Sequence, residues 1–308
     1  MVVIGSAGVL APGKWRWLRA LGWMVALCAV IVIGFNAMAR ATLWLLGSGM
    51  DATSSDKLLA AIAGAVAILA IYWIAVAFGE RRVVPELGLR HGPADLLLGL
   101  AVGAAVMALI VGTLWLFGWV VIGSKPIESV ALALRDSIRS GVLEELVLRL
   151  VIFRLMWRAL GIWPALVLAA LLFGVLHLAN PDSGLFAALC LIAGEGIGIG
   201  LYLITGRIWA SIGMHAAWNF TQGWVFGAAV SGTSEIAGGP LALHPAAGVP
   251  DMLSGGDFGP EASLAALIVS LLASAAFLLG AWKFGRFAAA DEQSGPVAQL
   301  SGNSATAS

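Results

Sequence analysis

Apolar residues along this chain come in long unbroken runs, not in the short alternations of half-buried strands. A helix needs about 20 residues to cross about 30 Å of hydrocarbon. Eight runs approach or reach that length: roughly 18–39, 58–78, 96–121, 143–160, 162–178, 185–204, 209–229 and 264–282. Backbone groups in lipid must be satisfied within the segment, which favours helices, and the weak dyad signal of a membrane barrel is missing. The pattern predicts an all-α, polytopic membrane bundle of about eight transmembrane helices. Between the runs, 127–140 carries Glu128, Arg135, Asp136 and Arg139. It predicts an amphipathic helix lying at the interface and ending near Gly141. The stretch 231–260 is rich in Gly and Pro and reads as a loop. From Asp291 the chain turns small and polar, so 291–308 reads as a disordered tail after a single membrane domain over 1–290. No internal repeat is visible.

Composition agrees with this and narrows the function classes. Of 308 residues, 60% are hydrophobic and 11% charged, with a mean hydropathy of +0.97. Soluble domains are about 45–50% apolar and about 25% charged. A soluble enzyme, a disordered protein and a small disulfide scaffold are therefore excluded. Seventeen basic residues balance seventeen acidic ones, so nothing favours nucleic acid as a partner. Cys28 and Cys190 lie in apolar runs and read as small buried hydrophobes.

The cations set the orientation. Lys14, Arg16, Arg19, Arg81, Arg82, Arg90, Arg154, Arg158, Arg207, Lys283 and Arg286 fall on one side of an eight-span arrangement. Arg40, Lys57, Lys125, Arg135 and Arg139 fall on or near the other. The excess places both termini in the cytoplasm, in the inner membrane of the cell. Lys14 to Arg19, the first run and Ala37-Met38-Ala39 also resemble a secretory signal. An uncleaved anchor is the simpler reading, because removal would leave an odd number of spans. Trp15, Trp17, Trp23, Trp163 and Trp209 mark span ends as an interfacial belt does. His91 and His244 lie in expected loops and read as solvated.

The remaining polar residues sit where charge is expensive, which makes each a functional hypothesis. They form three pairs, each four residues apart. Glu145 and Arg149 share one helix face in Glu144-Glu145-Leu146-Val147-Leu148-Arg149, with the acid on the N-terminal side. Glu144 points about 100° away from Glu145. Phe173 and His177 form the second pair, with Gly174 able to admit a neighbouring helix. His215 and Asn219 form the third, beside the small residues Gly213, Ala216 and Ala217. Taken singly, these read as a structural ion pair, a packing histidine and an interhelical hydrogen bond. Together they supply a general base and donors for an oxyanion, which is the equipment of a hydrolase.

In this order and spacing, EExxxR, FxxxH and HxxxN resemble the CPBP family. Its members are type II CAAX prenyl endopeptidases and bacterial relatives in bacteriocin processing and abortive infection. The resemblance covers roughly 140–221, within a catalytic core of about 127–230. The run from Leu201 to His215 and Glu86-Leu87-Gly88-Leu89-Arg90 are also similar to the family. The resemblance implies an intramembrane endopeptidase acting on a peptide or membrane-protein substrate in the lipid bilayer. Glu144 would activate water with the help of His177, while His215 and Asn219 would stabilise the oxyanion. Glu145 and Arg149 would complete and support the site, and Phe173 would shape a dry pocket. The resemblance permits a divalent metal such as zinc on Glu144, His177 and His215, and equally a metal-free glutamate protease. A proton-coupled transporter and a non-catalytic scaffold of the same fold are the rival classes. Glu195, mid-span between Gly194 and Gly196, lies outside the family pattern and reads as a partner for Arg149 or a wet cavity. Counting from the cytoplasmic span ends at about 1.5 Å per residue puts His177 about 20 Å deep and His215 about 10 Å deep. A shared site requires the structure to bring them level.

Overall fold

A computed structural model describes residues 1–128 and 130–289. The expected tail, 291–308, and the expected domain limit at 290 lie outside the described residues. The helices are α1 (Arg16–Leu45), α2 (Ser54–Ile74, continued by a π-helical turn to Glu80), α3 (Gly92–Leu116), α4 (Val130–Glu145), α5 (Arg154–Leu160), α6 (Ile162–Leu176), α7 (Leu185–Thr205), α8 (Trp209–Phe220, continued by a π-helical turn to Val225), the short α9 (Asp251–Ser254) and α10 (Leu264–Lys283). Local chemistry sets several ends. Thr53 caps α2: its hydroxyl accepts from Asp56 N (3.2 Å) while the Asp56 carboxylate accepts from Thr53 N (3.0 Å), which satisfies two orphan donors. Ser263 caps α10 through Ala266 N. Gly161, at φ +89°, separates α5 from α6.

Among the described residues, six helices are long and apolar enough to cross a membrane: Arg16–Leu45, Ser54–Glu80, Gly92–Leu116, Ile162–Ala179, Leu185–Thr205 and Leu264–Lys283. In α7, 72% of the most apolar window is buried, against 22–39% in the other five. It is therefore the central helix, and the others turn much of their apolar surface outward, as lipid-facing helices do. The other two expected spans are helical as well, but they carry the polar site residues.

Two expectations are corrected. The segment 127–140 is not a separate interfacial helix. α4 runs past Gly141 and through π-helical turns, Leu146–Phe153, directly into α5. Gly141 does not end a helix; it admits one. A Cβ there would lie 3.0 Å from Ala216 Cβ and 3.1 Å from Ile212 O of α8. The loop 231–260 also contains more than loop. Leu241–Pro245 (β2) pairs antiparallel with Val120–Ser124 (β1), from Val120↔Pro245 to Ser124↔Leu241. This places His244 in a strand, where it is exposed, and puts β1 at the end of the expected third span. Val120 and Leu243 turn inward onto Met107, Ile110 and Leu114 of α3, giving the ribbon a buried face.

Small residues bring the site helices together. A Cβ at Gly99 or Gly103 of α3 would overlap the α8 backbone at Ala210 or Met214, and one at Gly213 would overlap Leu96 O. Backbone-to-backbone approach of this kind is how helices pack where water supplies no driving force. α8 is thus held between α3 on one side and Gly141 of α4 on the other.

Met1 and the last described residues, near Phe287, lie at one end of the bundle. Met1 sits beside Gly206, and Phe287 meets the ring of Trp163. A buried ionic cluster occupies the same end. Arg82 pairs with Glu80 (2.9 Å) and Glu86 (2.6 Å), and Arg154 pairs with Glu80 (2.6 Å). Tyr72 donates to Glu86 (2.6 Å) and Trp23 to Glu80 (3.0 Å). Arg82 and Arg154, which the sequence counts among orientation markers, are therefore interior groups. Trp23 likewise serves as a hydrogen-bond donor.

Candidate active site

α4 and its π-helical continuation carry the carboxylates. Glu145 is fully buried. Its Oε2 meets Arg149 Nε at 2.8 Å, and its Oε1 meets His215 Nδ1 at 2.8 Å. Glu144, one residue earlier, turns about 100° away and keeps 35% of its side chain exposed. Arg149 is 2% exposed, lies within the π-helical turns and also meets Glu195 of α7 at 2.9 Å and 3.1 Å. π-helical insertions recur at functional sites. Four side chains from three elements thus form a buried series: Glu195, Arg149, Glu145 and His215. The expected partner of Glu195 is Arg149.

The neighbouring glycines divide their work. Gly194, Gly196 and Gly200 face Ser270, Ser274 and Phe277 of α10, whereas Gly198 faces the Arg149 guanidinium, where a Cβ would overlap Nη2. Gly198→Ala should therefore push Arg149 off Glu145 and loosen His215. The expected result is a fall in turnover of about tenfold or more, measured against Gly194→Ala, whose Cβ meets Ser270 at an ordinary 3.6 Å. Equal activity of the two variants would contradict this account.

The two histidines are brought together. The Phe173 ring lies 4.4 Å from the His177 ring and 6.4 Å, edge-on, from that of His215. The difference in depth disappears because α8 begins inside the protein. The turn before it is drawn in, with Ile208 fully buried and its N–H donated to Glu86 O at 3.1 Å. Gly174 admits α7 as expected, since a Cβ there would lie 2.7 Å from Ala188 O.

Hydrogen bonding fixes the proton positions. His177 Nδ1 lies 2.8 Å from Phe173 O. A carbonyl can only accept, so Nδ1 carries the proton and Nε2 of the neutral ring is an acceptor. Likewise, Nδ1 of His215 donates to Glu145, which leaves Nε2 facing Glu144 Oε2 at 3.9 Å. Asn219 Nδ2 donates to Ser140 Oγ (2.8 Å), and that hydroxyl donates to Asp136 O (2.8 Å). The Ser140 hydroxyl is therefore an acceptor toward Asn219 and orients the amide. Sequence reasoning missed Ser140, although it stands four residues before Glu144 on the same helical face.

Glu144, Phe173, His177, His215, Asn219 and Ser140 line one cavity of about 800 Å³. α1 contributes Val32, Phe35, Ala39 and Leu43 with the amide of Asn36, and α2 contributes Ala60 and Ala61 with the cation Lys57. The cavity lies where α1 ends and α2 and α4 begin, at the end of the bundle away from Met1 and Phe287. Glu145 does not line it; it stands behind His215. Among the described residues, no three His, Cys, Asp or Glu side chains come together in a geometry that could hold a metal ion. His177 and His215 each turn Nδ1 to a protein acceptor, and Glu144 stays 3.9 Å from the nearer ring. In both rings Nε2 is left free, as it is in an imidazole that serves as a metal ligand, so these side chains have the donor atoms for zinc although they are not gathered as a ligand set.

The arrangement contains an exposed carboxylate at the wall of a cavity of mixed polar and apolar lining, an imidazole acceptor in His177, the amide of Asn219 as a donor, and Nε2 of His215 turned to the same space. No curated protein and no solved structure matches the chain. One family model does match, over residues 126–221: Type II CAAX prenyl endopeptidase Rce1-like. The matched segment holds every residue of the three pairs and Glu195.

Proposed function

We propose, from the premise that residues 126–221 belong to the Type II CAAX prenyl endopeptidase Rce1-like family, that this integral membrane protease cleaves a peptide bond inside its 800 Å³ cavity with Glu144 as the general base. The observation that carries this reading is the convergence of Glu144, His177, His215 and Asn219 on that one cavity.

A water between Glu144 and His177 Nε2 gives its proton to the Glu144 carboxylate. The hydroxide adds to the scissile carbonyl carbon, and the carbonyl π electrons move onto oxygen. The free Asn219 Nδ2–H and, with His215 doubly protonated, its Nε2–H hold that oxyanion, as donors aimed at developing charge do. Collapse breaks the C–N bond, and the proton on Glu144 passes to the leaving nitrogen. Glu145 supports the step by holding His215, and Phe173 excludes water between the two rings. This route uses a carboxylate and water.

The mainly apolar wall of α1 and α2, interrupted by Asn36 and Lys57, suits a substrate that arrives from the bilayer as a lipidated peptide or a membrane protein. With both termini in the cytoplasm, the cavity opens toward the opposite face. The test uses purified protein in lipid vesicles and a fluorophore–quencher peptide ending in a prenylated cysteine and three further residues, alongside its unprenylated form. Cleavage that persists in phenanthroline is expected. No cleavage of either peptide would overturn the reading, and a proton flux without cleavage would favour a transporter instead.

A further inference from the structure

We propose that Lys57 and Arg139 form a carboxylate-binding subsite of the cavity, which holds an anionic group of the peptide substrate a few residues from the bond that Glu144 cleaves. The charges that line the cavity are the cations Lys57, Arg135 and Arg139 and the acids Asp136, Glu144 and Glu235. Arg135 is engaged by two of the acids, with Nε on Asp136 (2.9 Å) and Nη2 on Glu235 (2.9 Å). Glu144 stands apart from the cations and has only the 3.9 Å contact with His215. Among the described residues, Lys57 and Arg139 therefore form no ion pair, although both line a cavity that contains acids. A cation at a span end ordinarily marks orientation. Yet Lys57, Arg135 and Arg139 belong to the smaller set, on the side away from the cytoplasm, where that bias does not place them. Two exposed cations without an anion, in the cavity that holds the general base, match an anionic group brought by the substrate.

The helices set the distance between this subsite and the chemistry. Arg139 and Leu143 form one row along α4, and Ser140 and Glu144 form the next; both rows line the cavity. Arg139 precedes Glu144 by five residues, about 7.5 Å along the helix axis. An extended peptide advances about 3.3 Å per residue, so this separation spans a little over two residues, and the long Arg139 side chain can add to it. Lys57 stands in the first turn of α2, which starts at the same end of the bundle as α4 and packs against it. A carboxylate between the two cations thus sits nearer that end, with the scissile bond deeper, level with Glu144. The Glu144 charge repels a second carboxylate beside it, so attraction at one place and repulsion at the other fix the register of the peptide. A guanidinium also suits a carboxylate geometrically, through paired N–H donors. A phospholipid phosphate carries the same sign of charge. The peptide is favoured because the cations and Glu144 share one cavity at a spacing that peptide residues can bridge.

This inference rests on the proposed endoproteolysis. The test uses purified protein in phosphatidylcholine vesicles, with and without added phosphatidylglycerol, and three prenylated reporter peptides. One ends in a free carboxylate, the second is its amide, and the third is the amide with glutamate as its last residue. The readout is kcat/KM for each anionic peptide divided by that for the neutral one. Wild type should favour at least one anionic peptide by about tenfold or more, chiefly through KM. A preference for the free carboxylate alone assigns the subsite to a chain end, and an equal preference for the glutamate peptide extends it to acidic side chains. K57Q/R139Q should bring the ratio within about twofold of one, because the preference passes through these cations. R40Q removes an exposed cation that does not line the cavity and should keep the wild-type ratio. A wild-type ratio within about twofold of one, or a wild-type ratio kept by K57Q/R139Q, would overturn the inference. So would a loss in K57Q/R139Q that is equal for all three peptides and confined to vesicles with phosphatidylglycerol, since the cations would then serve lipid phosphate. If wild type cleaves all three peptides equally, only this inference fails; if it cleaves none, the functional reading fails with it. Should K57Q/R139Q not fold, K57Q and R139Q singly should each lower the ratio several-fold, and an unchanged ratio in both would overturn the inference equally.

Discussion

Glu144→Gln should lower kcat by about a thousandfold, within the 10²–10⁴ range of general-base losses, and leave the fold intact. The two halves of that expectation have separate physical grounds. The side chain keeps 35% of its surface exposed, and His215 Nε2 is 3.9 Å away. Beyond that long contact, no ion pair among the described residues depends on its charge, so the amide should change stability by no more than about 0.5 kcal/mol. Chemistry, by contrast, loses the one carboxylate placed to take a proton from water in the cavity. Glu145→Gln is the informative comparison. That acid is fully buried and holds both Arg149 (2.8 Å) and His215 (2.8 Å). Its replacement should lower stability and activity together, whereas Glu144→Gln should lower activity alone. Initial rates at saturating reporter peptide and thermal unfolding in the same lipid give both quantities. A Glu144→Gln enzyme that keeps more than about a tenth of wild-type kcat would remove Glu144 from the role.

The contrast between adjacent acids shows which parts of the site the sequence exposes. A helix turns about 100° per residue, so opposite destinations for Glu144 and Glu145 follow from the sequence alone. So does the meeting of Glu145 with Arg149 four residues on, because i,i+4 contacts are local. The eight helical runs are legible for the same reason: hydrocarbon thickness fixes their length. What escapes local reading depends on partners distant in the chain. Gly141 has the residue type of a helix stop, yet its use is set by Ala216 and Ile212 of α8. β1 and β2 are five-residue segments that become strands only by pairing across more than a hundred positions. Glu195 is conspicuous as an acid inside a span, but its partner lies 46 residues away. Arg82 and Arg154 stand at span ends, where a cation ordinarily marks orientation. Only the folded chain reveals that Glu80 and Glu86 draw them inward.

That inward pull has a measurable size. Arg154→Met should destabilise the protein by about 3–5 kcal/mol, the usual result of removing one partner from a buried ionic set. Arg154 is fully buried. It donates to both Glu80 oxygens (2.6 and 2.8 Å), to Leu150 O (2.7 Å) and to Ile4 O (3.3 Å). The wild-type cluster balances Glu80 and Glu86 against Arg82 and Arg154. Methionine fills much of the same space but leaves two buried carboxylates with one cation. The double variant Arg154→Met/Glu80→Gln restores the balance, since Arg82 and Glu86 still meet at 2.6 Å and the amide can still accept from Trp23. It should therefore be more stable than Arg154→Met alone, although it carries one more substitution. Unfolding by a denaturing detergent, followed through tryptophan emission, reports the order directly. A single variant that loses less than about 1 kcal/mol would show that the pair is solvated in the membrane, and a double variant weaker than the single would refute charge balance as the cause. The cluster lies at the end of the bundle opposite the cavity, so a folded Arg154→Met enzyme should keep its KM. Stability at this end and chemistry at the other can then be varied separately, because α4 and α5 carry Glu144 and Arg154 on one continuous helix but toward different sets of partners.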